Sequence, residues 1–273
     1  MTVVVLWYRK SLGELWCAAD TRISRGGGTA TDGGPKILPI PVVCHKSEGN
    51  KKWNSFRRYN FGFAYAGSTL SAISTHALAT ACTQNLAANR GYEKPVTLKA
   101  VAELFQSVGE HYICDMSARL GVSDNNKSYF FDALVFGFCP VERVFKAYML
   151  VSNIATGTFR MLLAEMLIGP DRYHSIGSGS TAFEKLHVEL EQFHHNPGVL
   201  TTLEEMLKRE VQPDVGGHLQ IGVSKTTGFR IIPVLNRGDG PGKAYVSFLG
   251  WDTTSARMFE GYSVGYESCG NFQ

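Results

Sequence analysis

A threonine hydroxyl attacks a carbonyl only when a base lies within hydrogen-bond reach. An α-amino group, with an ordinary pKa of about 7.7–8.0, can be that base near neutral pH. Removal of Met1 would place both groups on one residue, because Thr2 would then carry a hydroxyl and a free amine. Two further residues have types that suit this chemistry: Asp20 in "AADTRIS" and Lys36 in "GGPKI", sixteen positions apart. Beside the amine, a lysine would lower its proton affinity and a carboxylate would orient it. The plainer alternative is an Asp–Lys ion pair, which contributes little if exposed.

Other chemistry is less well supported. His194 and His195 are adjacent and His187 lies two helical turns earlier, but no HExxH spacing or neighbouring cysteine accompanies them, so they read as a solvated helix end. "GGPKI" lacks the GxxxxGK[ST] spacing of a phosphate loop, and "GSGSTA" has Ala182 where GxGxxG would require glycine. The six cysteines are scattered with no CxxC pair and read as reduced core residues.

The elements that would position the trio can be read from periodicity. Residues 2–7 and 15–20 are β-branched or aromatic runs around a turn glycine, Gly13, which predicts an opening hairpin that sets Asp20 antiparallel to Thr2. "KILPIPVV" reads as a strand whose prolines suggest an edge or bulge, and "NFGFAYAG" as another strand, with a polar, basic excursion between them over residues 45–60. Residues 68–89 predict a helix with its apolar face on Leu70, Ile73, Ala77, Leu78 and Ala81. A second helix is expected from an N-cap at Thr97 to a stop at Gly121.

Three strand-like runs follow, "FFDALVFGFCP", "VFKAYMLVS" and "TFRMLLAEM". Then come a strand ending at the Gly177-Ser178-Gly179 turn, a helix capped by Ser180 or Thr181, and a helix with a capping box from Thr201. "GGHLQIGVSK", "GFRIIPVL" and "AYVSFLG" read as strands, and residues 251–273 have no clear assignment. Strands, two helices, strands, two helices, strands is the order of an α+β protein with two face-to-face sheets between helix layers, a four-layer αββα sandwich.

Composition excludes several classes. Hydrophobic residues make up 44% of 273 positions and charged residues 19%, enough for a sizeable core. Net charge is +3 with scattered basic residues, so neither nucleic acid nor an anionic membrane is expected as a partner. The first apolar run is too short for a signal-peptide core and no segment has the length needed to cross a bilayer, so the protein is expected to be cytoplasmic.

Taken together, Thr2 before a β run, "AADTR", the lysine sixteen residues beyond Asp20, "AYAGSTLSA" before a long helix and "IGSGS" before a later one resemble a proteasome β-type subunit or a bacterial proteasome-like protein of the Ntn-hydrolase superfamily. The resemblance covers most of residues 1–235 as one Ntn-hydrolase domain, with 236–273 as an extension of it. It implies that Thr2 is the nucleophile of a threonine-type endopeptidase, that Asp20 and Lys36 support it, and that Ser178 hydrogen-bonds its amine. It likewise implies that the Gly67 N–H forms the oxyanion hole, that the Ser24 backbone pairs with an extended substrate, and that Tyr65 walls the pocket for the side chain before the scissile bond.

Where the family carries an aspartate and a serine before two glycines, this sequence has "QPDVGGH", with Gln212 and Val215 at those positions and Asp214 as the carboxylate left for that supporting role. The resemblance further implies a peptide or unfolded-protein substrate, a homo-oligomeric ring, an ATP-dependent unfoldase as a partner, and no metal or cofactor. Two alternatives stay open: a catalytically silent structural subunit and an Ntn amidohydrolase of a small amide.

Overall fold

The structure is a computed structural model that describes residues 2–25, 28–49, 52–119, 128–155, 158–170, 172–193, 197–237, 243–253, 260–262, 264–265 and 269–270. In chain order the elements are β1 (Val4–Arg9), β2 (Glu14–Asp20), β3 (Ile23–Arg25), β4 (Gly28–Thr31), β5 (Ile37–Gly49), β6 (Lys52–Gly67), α1 (Thr69–Gln84), β7 (Leu86–Ala87) and α2 (Leu98–Arg119). They continue as β8 (Phe131–Cys139), β9 (Val144–Ala155), β10 (Thr158–Met166), β11 (Tyr173–Ile176), α3 (Ser180–Phe193), α4 (Val199–Lys208), β12 (Leu219–Lys225) and β13 (Gly228–Ile232). The last four are β14 (Val234–Arg237), β15 (Ala244–Phe248), β16 (Trp251–Asp252) and β17 (Cys269–Gly270).

A five-stranded sheet runs β11-β1-β2-β12-β13 and a six-stranded sheet β10-β9-β8-β6-β5-β7. Alternation along the strands assigns each side chain to one of three apolar layers. From β1 and β2, Val4, Leu6, Cys17 and Ala19 meet Ala64, Ala66, Leu134 and Phe136 of the second sheet. The opposite face of the first sheet, with Val3, Val5, Trp16 and Ala18, packs on Phe183, Leu186 and Leu190 of α3 and Leu203 and Met206 of α4. The opposite face of the second, with Phe61, Phe63, Ala133 and Val135, packs on α1 and α2 through Ala72, Ala79, Val101 and Phe105. The expected four-layer αββα sandwich is present.

Several elements differ locally from the sequence reading. The basic excursion extends a single long hairpin, with β5 and β6 paired from Ile37↔Ala64 out to Gly49↔Lys52 and irregular at Cys44/His45 and Ser47/Gly49. The prolines of β5 sit on its sparsely paired side, where among the described residues only the two-residue β7 joins it, at Cys44 and His45. The Pro39 and Pro41 carbonyls instead accept hydrogen bonds from His76 (2.8 Å) and Thr83 (2.8 Å) of α1. Helix α2 has its expected cap, the Ala100 N–H donating to Thr97 Oγ1 at 3.1 Å; Gly121 lies outside the described residues, as do His194 and His195. Helix α4 begins at Val199 after Gly198, with no side-chain cap, so the capping box does not form.

Helix α1 turns the opposite face inward. Its buried residues are Ser71, Ala72, Thr75, Ala79 and Thr83, whereas Leu70 and Leu78 are 55% and 40% exposed. Small residues let the helix axis approach the β5 carbonyls closely enough for His76 and Thr83 to bond them, which larger side chains on that face would prevent. "GFRIIPVL" also divides: β13 ends at Ile232, and beyond Pro233 the chain enters a separate four-stranded sheet, β16-β15-β14-β17, that takes in part of the unassigned tail. Proline has no N–H for the β12 ladder, which explains the break.

Candidate active site

Asp20 ends β2 opposite Val3, in the ladder that pairs Val4 with Ala19. Its carboxylate faces inward, fully buried, and four donors converge on it. Oδ1 accepts the Val3 N–H at 3.1 Å and the Lys36 ammonium at 2.8 Å, and Oδ2 accepts the Arg22 N–H at 3.2 Å and the Gly216 N–H at 3.2 Å. The oxygen that binds Lys36 is thus the same one that binds the amide linking Thr2 to Val3. Thr2 is 5% exposed and Lys36 1%. Burial pushes the Lys36 ammonium below the ordinary lysine range, and Asp20 offsets part of that effect.

Lys36 is delivered by the backbone just before β5. Gln220 of β12 fastens it: Oε1 accepts the Lys36 N–H (2.9 Å) and the Ile37 N–H (3.1 Å), while Nε2 donates to the Asp20 carbonyl (2.8 Å) and the Gly34 carbonyl (3.3 Å). A buried amide with four partners ties the Asp20 strand to the Lys36 strand and has no spare hydrogen-bonding capacity. On the other side the Tyr65 N–H donates to the Lys36 carbonyl (3.1 Å).

The Gly177–Gly179 turn holds the start of β1. The Gly179 N–H donates to the Thr2 carbonyl at 3.0 Å. Gly177 has φ +96°, and a Cβ there would lie 2.2 Å from the Thr2 carbonyl oxygen and 2.9 Å from the Ala66 Cβ. Only glycine permits this approach. Ser178, between the two glycines, is exposed. Ala66 brings the end of β6 to the same place, and Gly67 closes that strand with φ +100°, where a Cβ would lie 2.7 Å from the Phe130 carbonyl oxygen.

Thr2, Asp20, Lys36, Gly67 and the Ser178 turn therefore come together from five parts of the chain. Ser24 lies in the separate two-stranded ribbon of β3 and β4, paired with Thr29. Tyr65, expected to wall a pocket, is 1% exposed and its hydroxyl donates to the Pro35 carbonyl at 3.0 Å, so it offers a ligand almost no surface. Asp214 does not join the group: it makes no side-chain hydrogen bond or ion pair among the described residues. Val215 beside it is buried against Gly179, where a Cβ would meet Val215 Cγ2 at 2.9 Å.

Residues outside the sequence reading hold the loop that carries Asp214. Arg22 grips Asp32 through Nε (2.7 Å) and Nη2 (3.2 Å) and donates from Nη1 to the Pro213 carbonyl (2.9 Å). This pairing holds the Asp32 carboxyl below its ordinary value. Gly216 lies against the guanidinium, with no room for a Cβ. Arg22 was visible as the last residue of "AADTR", and Gln220 as a polar residue in the apolar run that opens β12; nothing local signals that either one meets the site.

No protein-family model and no curated protein matches the chain. Among solved structures it is similar to Anbu (ancestral beta-subunit) from Yersinia bercovieri, at 13% identity, covering 85% of this chain and 86% of that one, with a TM-score of 0.51. A glycine-1 mutant of Anbu from Hyphomicrobium sp. strain MC1 aligns at 12% identity over 90% and 87% of the two chains, with a TM-score of 0.49. Eukaryotic HslV from Trypanosoma brucei aligns at 12% identity over 82% and 99%, with a TM-score of 0.41. The layer order built above and the Anbu likeness agree: the chain has a mixed α+β, four-layer fold that is structurally similar to proteasome-like Ntn-hydrolase folds.

Proposed function

We propose that the chain is an N-terminal-threonine hydrolase of peptide amide bonds, active once Met1 is removed. The observation that carries this reading is the Asp20 Oδ1 atom, shared between the buried Lys36 ammonium and the Thr2–Val3 amide. A depressed lysine held there lowers the proton affinity of a terminal amine at residue 2, so that the amine is available as a base near neutral pH. The Thr2 hydroxyl then attacks the substrate carbonyl and its proton passes to the amine. The amine returns that proton to the leaving nitrogen as the C–N bond breaks, and water, deprotonated by the same amine, releases the acyl group from Oγ.

In this reading the Gly67 N–H receives the oxyanion and Ser178 hydrogen-bonds the terminal amine. An extended peptide adds to the β3 edge at Ser24, an addition favoured by the two-stranded ribbon, whose strands each have one ladder neighbour among the described residues. A homo-oligomeric ring and an unfoldase that feeds it belong to the same proposal.

The test is Thr2→Ala together with intact mass. Wild-type chain is expected to lose the mass of Met1, hydrolyse peptide amides and gain the mass of a peptide epoxyketone; Thr2→Ala keeps its fold and does neither of the last two. Undiminished hydrolysis by Thr2→Ala ends the proposal. A second reading, a silent structural subunit, is favoured by one observation, the apolar and buried Val215 at the position where the resemblance places a hydroxyl. Retention of Met1 in the mature chain decides for it, because the residue-2 nitrogen is then an amide with no basic lone pair.

A further inference from the structure

The sheet beyond Pro233 touches the site from outside, at the knot that follows Asp20. Thr21 is fully buried. Its Oγ1 donates to the Asp32 carbonyl and accepts the His218 N–H at 2.7 Å, while its own carbonyl accepts the Gly34 N–H at 2.8 Å. The Thr21 and Arg22 amides both donate to the Gly216 carbonyl, at 3.2 and 2.9 Å. Residues 20–22, 32–34 and 216–218 are thereby one unit, and that unit carries the Asp20 carboxylate and the approach to Lys36.

Two parts of the β15–β16 hairpin close over it. Tyr245 of β15 sets its hydroxyl 3.2 Å from His218 Nδ1, with the rings edge to face and centroids 6.0 Å apart. At the hairpin turn Leu249 and Gly250 both have positive φ, +55° and +87°, and a Cβ on Gly250 would lie 3.0 Å from Thr21 Cγ2 and 3.1 Å from Gly33 Cα. The turn therefore seats backbone against backbone on the knot. The hairpin is itself held firmly, Asn236 Nδ2 donating to the buried Ser247 Oγ at 2.8 Å.

We propose that the C-terminal sheet is a positioning brace for the site, with Tyr245 and Gly250 as positioning residues that fix Asp20 and Lys36 through His218, Thr21 and Gly33. The inference rests on the reading of Thr2 as nucleophile. A brace acts on the position of Asp20 and Lys36 and reaches the Ser24 edge only through the ends of the β3–β4 ribbon, so its loss lowers kcat by a larger factor than it raises KM.

The experiment compares full-length wild type, Tyr245→Phe and Gly250→Ala by peptide hydrolysis and by amide hydrogen exchange. Both variants should lose about tenfold or more in kcat with a smaller change in KM, the scale expected for sub-ångström misplacement. They should also exchange faster at Arg22, Gly34 and His218 while Val5 and Val223 keep wild-type protection. Wild-type kcat in both variants, or unchanged exchange at those three amides, overturns the brace. A wild-type chain that hydrolyses no peptide while both variants still show the faster exchange fails the Thr2 reading and leaves the brace as a structural contact alone, which overturns its positioning role.

Discussion

Replacing Asp20 with asparagine tests the centre of the site, because it removes a charge and keeps the shape. In the wild type the Lys36 and Asp20 side chains are 2% and 0% exposed and 2.8 Å apart. Without the carboxylate, the ammonium is left buried and unpaired, a change that typically costs ~3–5 kcal/mol. The asparagine amide also turns its N–H donors either toward the Val3 N–H and the Lys36 ammonium or toward the Arg22 and Gly216 N–H groups, all of which are themselves donors. For a chain of this size the melting temperature should fall by on the order of 10 °C.

The pH dependence has a definite sign. Burial already holds Lys36 below the ordinary lysine range with Asp20 present, and loss of Asp20 lowers it further. Between that depressed value and the ordinary ~10.4 the unfolded state binds more protons than the folded one, so stability of the variant rises with pH through that window. Its deficit against wild type is therefore largest at neutral pH and shrinks toward pH ~10. Lys36→Met added to Asp20→Asn should recover part of the loss, because a buried apolar chain needs no counter-charge. Thermal and denaturant unfolding of wild type, the single and the double variant across pH measure this. A single variant as stable as wild type at pH 7, or a double variant no better than the single, would refute the coupling.

Gly177→Ala must displace the Thr2 carbonyl, since the new methyl would stand 2.2 Å from it at φ +96°; it should abolish hydrolysis and destabilise by roughly 2 kcal/mol or more. Gly13→Ala, also at positive φ (+63°) but with open space around its Cβ, should cost ~1–2 kcal/mol with full activity, which separates backbone strain from collision at the site. Tyr65→Phe leaves the Pro35 carbonyl without its 3.0 Å donor and should cost ~1–3 kcal/mol in a denaturant titration. Because burial pushes the Tyr65 phenol up to about 12, the wild-type ultraviolet titration should lose one late-ionising tyrosine in that variant.

Much of this arrangement is legible along the chain because it depends on local rules. The period-2 alternation of β1 and β2 and the turn at Gly13 predict the hairpin that sets Asp20 beside Val3. The spacing of two glycines around Ser178 predicts the tight turn that receives Thr2. These features follow from neighbours a few residues apart, where backbone sterics and side-chain alternation decide the outcome.

Three features were decided only by the tertiary structure. Helix α1 presents Ser71, Thr75 and Thr83 inward and Leu70 and Leu78 outward, because in an alanine-rich helix apolar contrast is weak and closeness of approach to β5 governs which face fits. Gln220 and the 213–216 loop reach Asp20 across about two hundred residues, a juxtaposition that no local pattern encodes. The sheet beyond Pro233 lies over Thr21 because β13 ends there and the chain leaves the main sheet. The sequence by itself thus determined the strand that carries Thr2 and the residue types beside it. Only packing determined what surrounds the Asp20 carboxylate, because desolvation and ion pairing depend on groups that the fold brings together from distant parts of the chain.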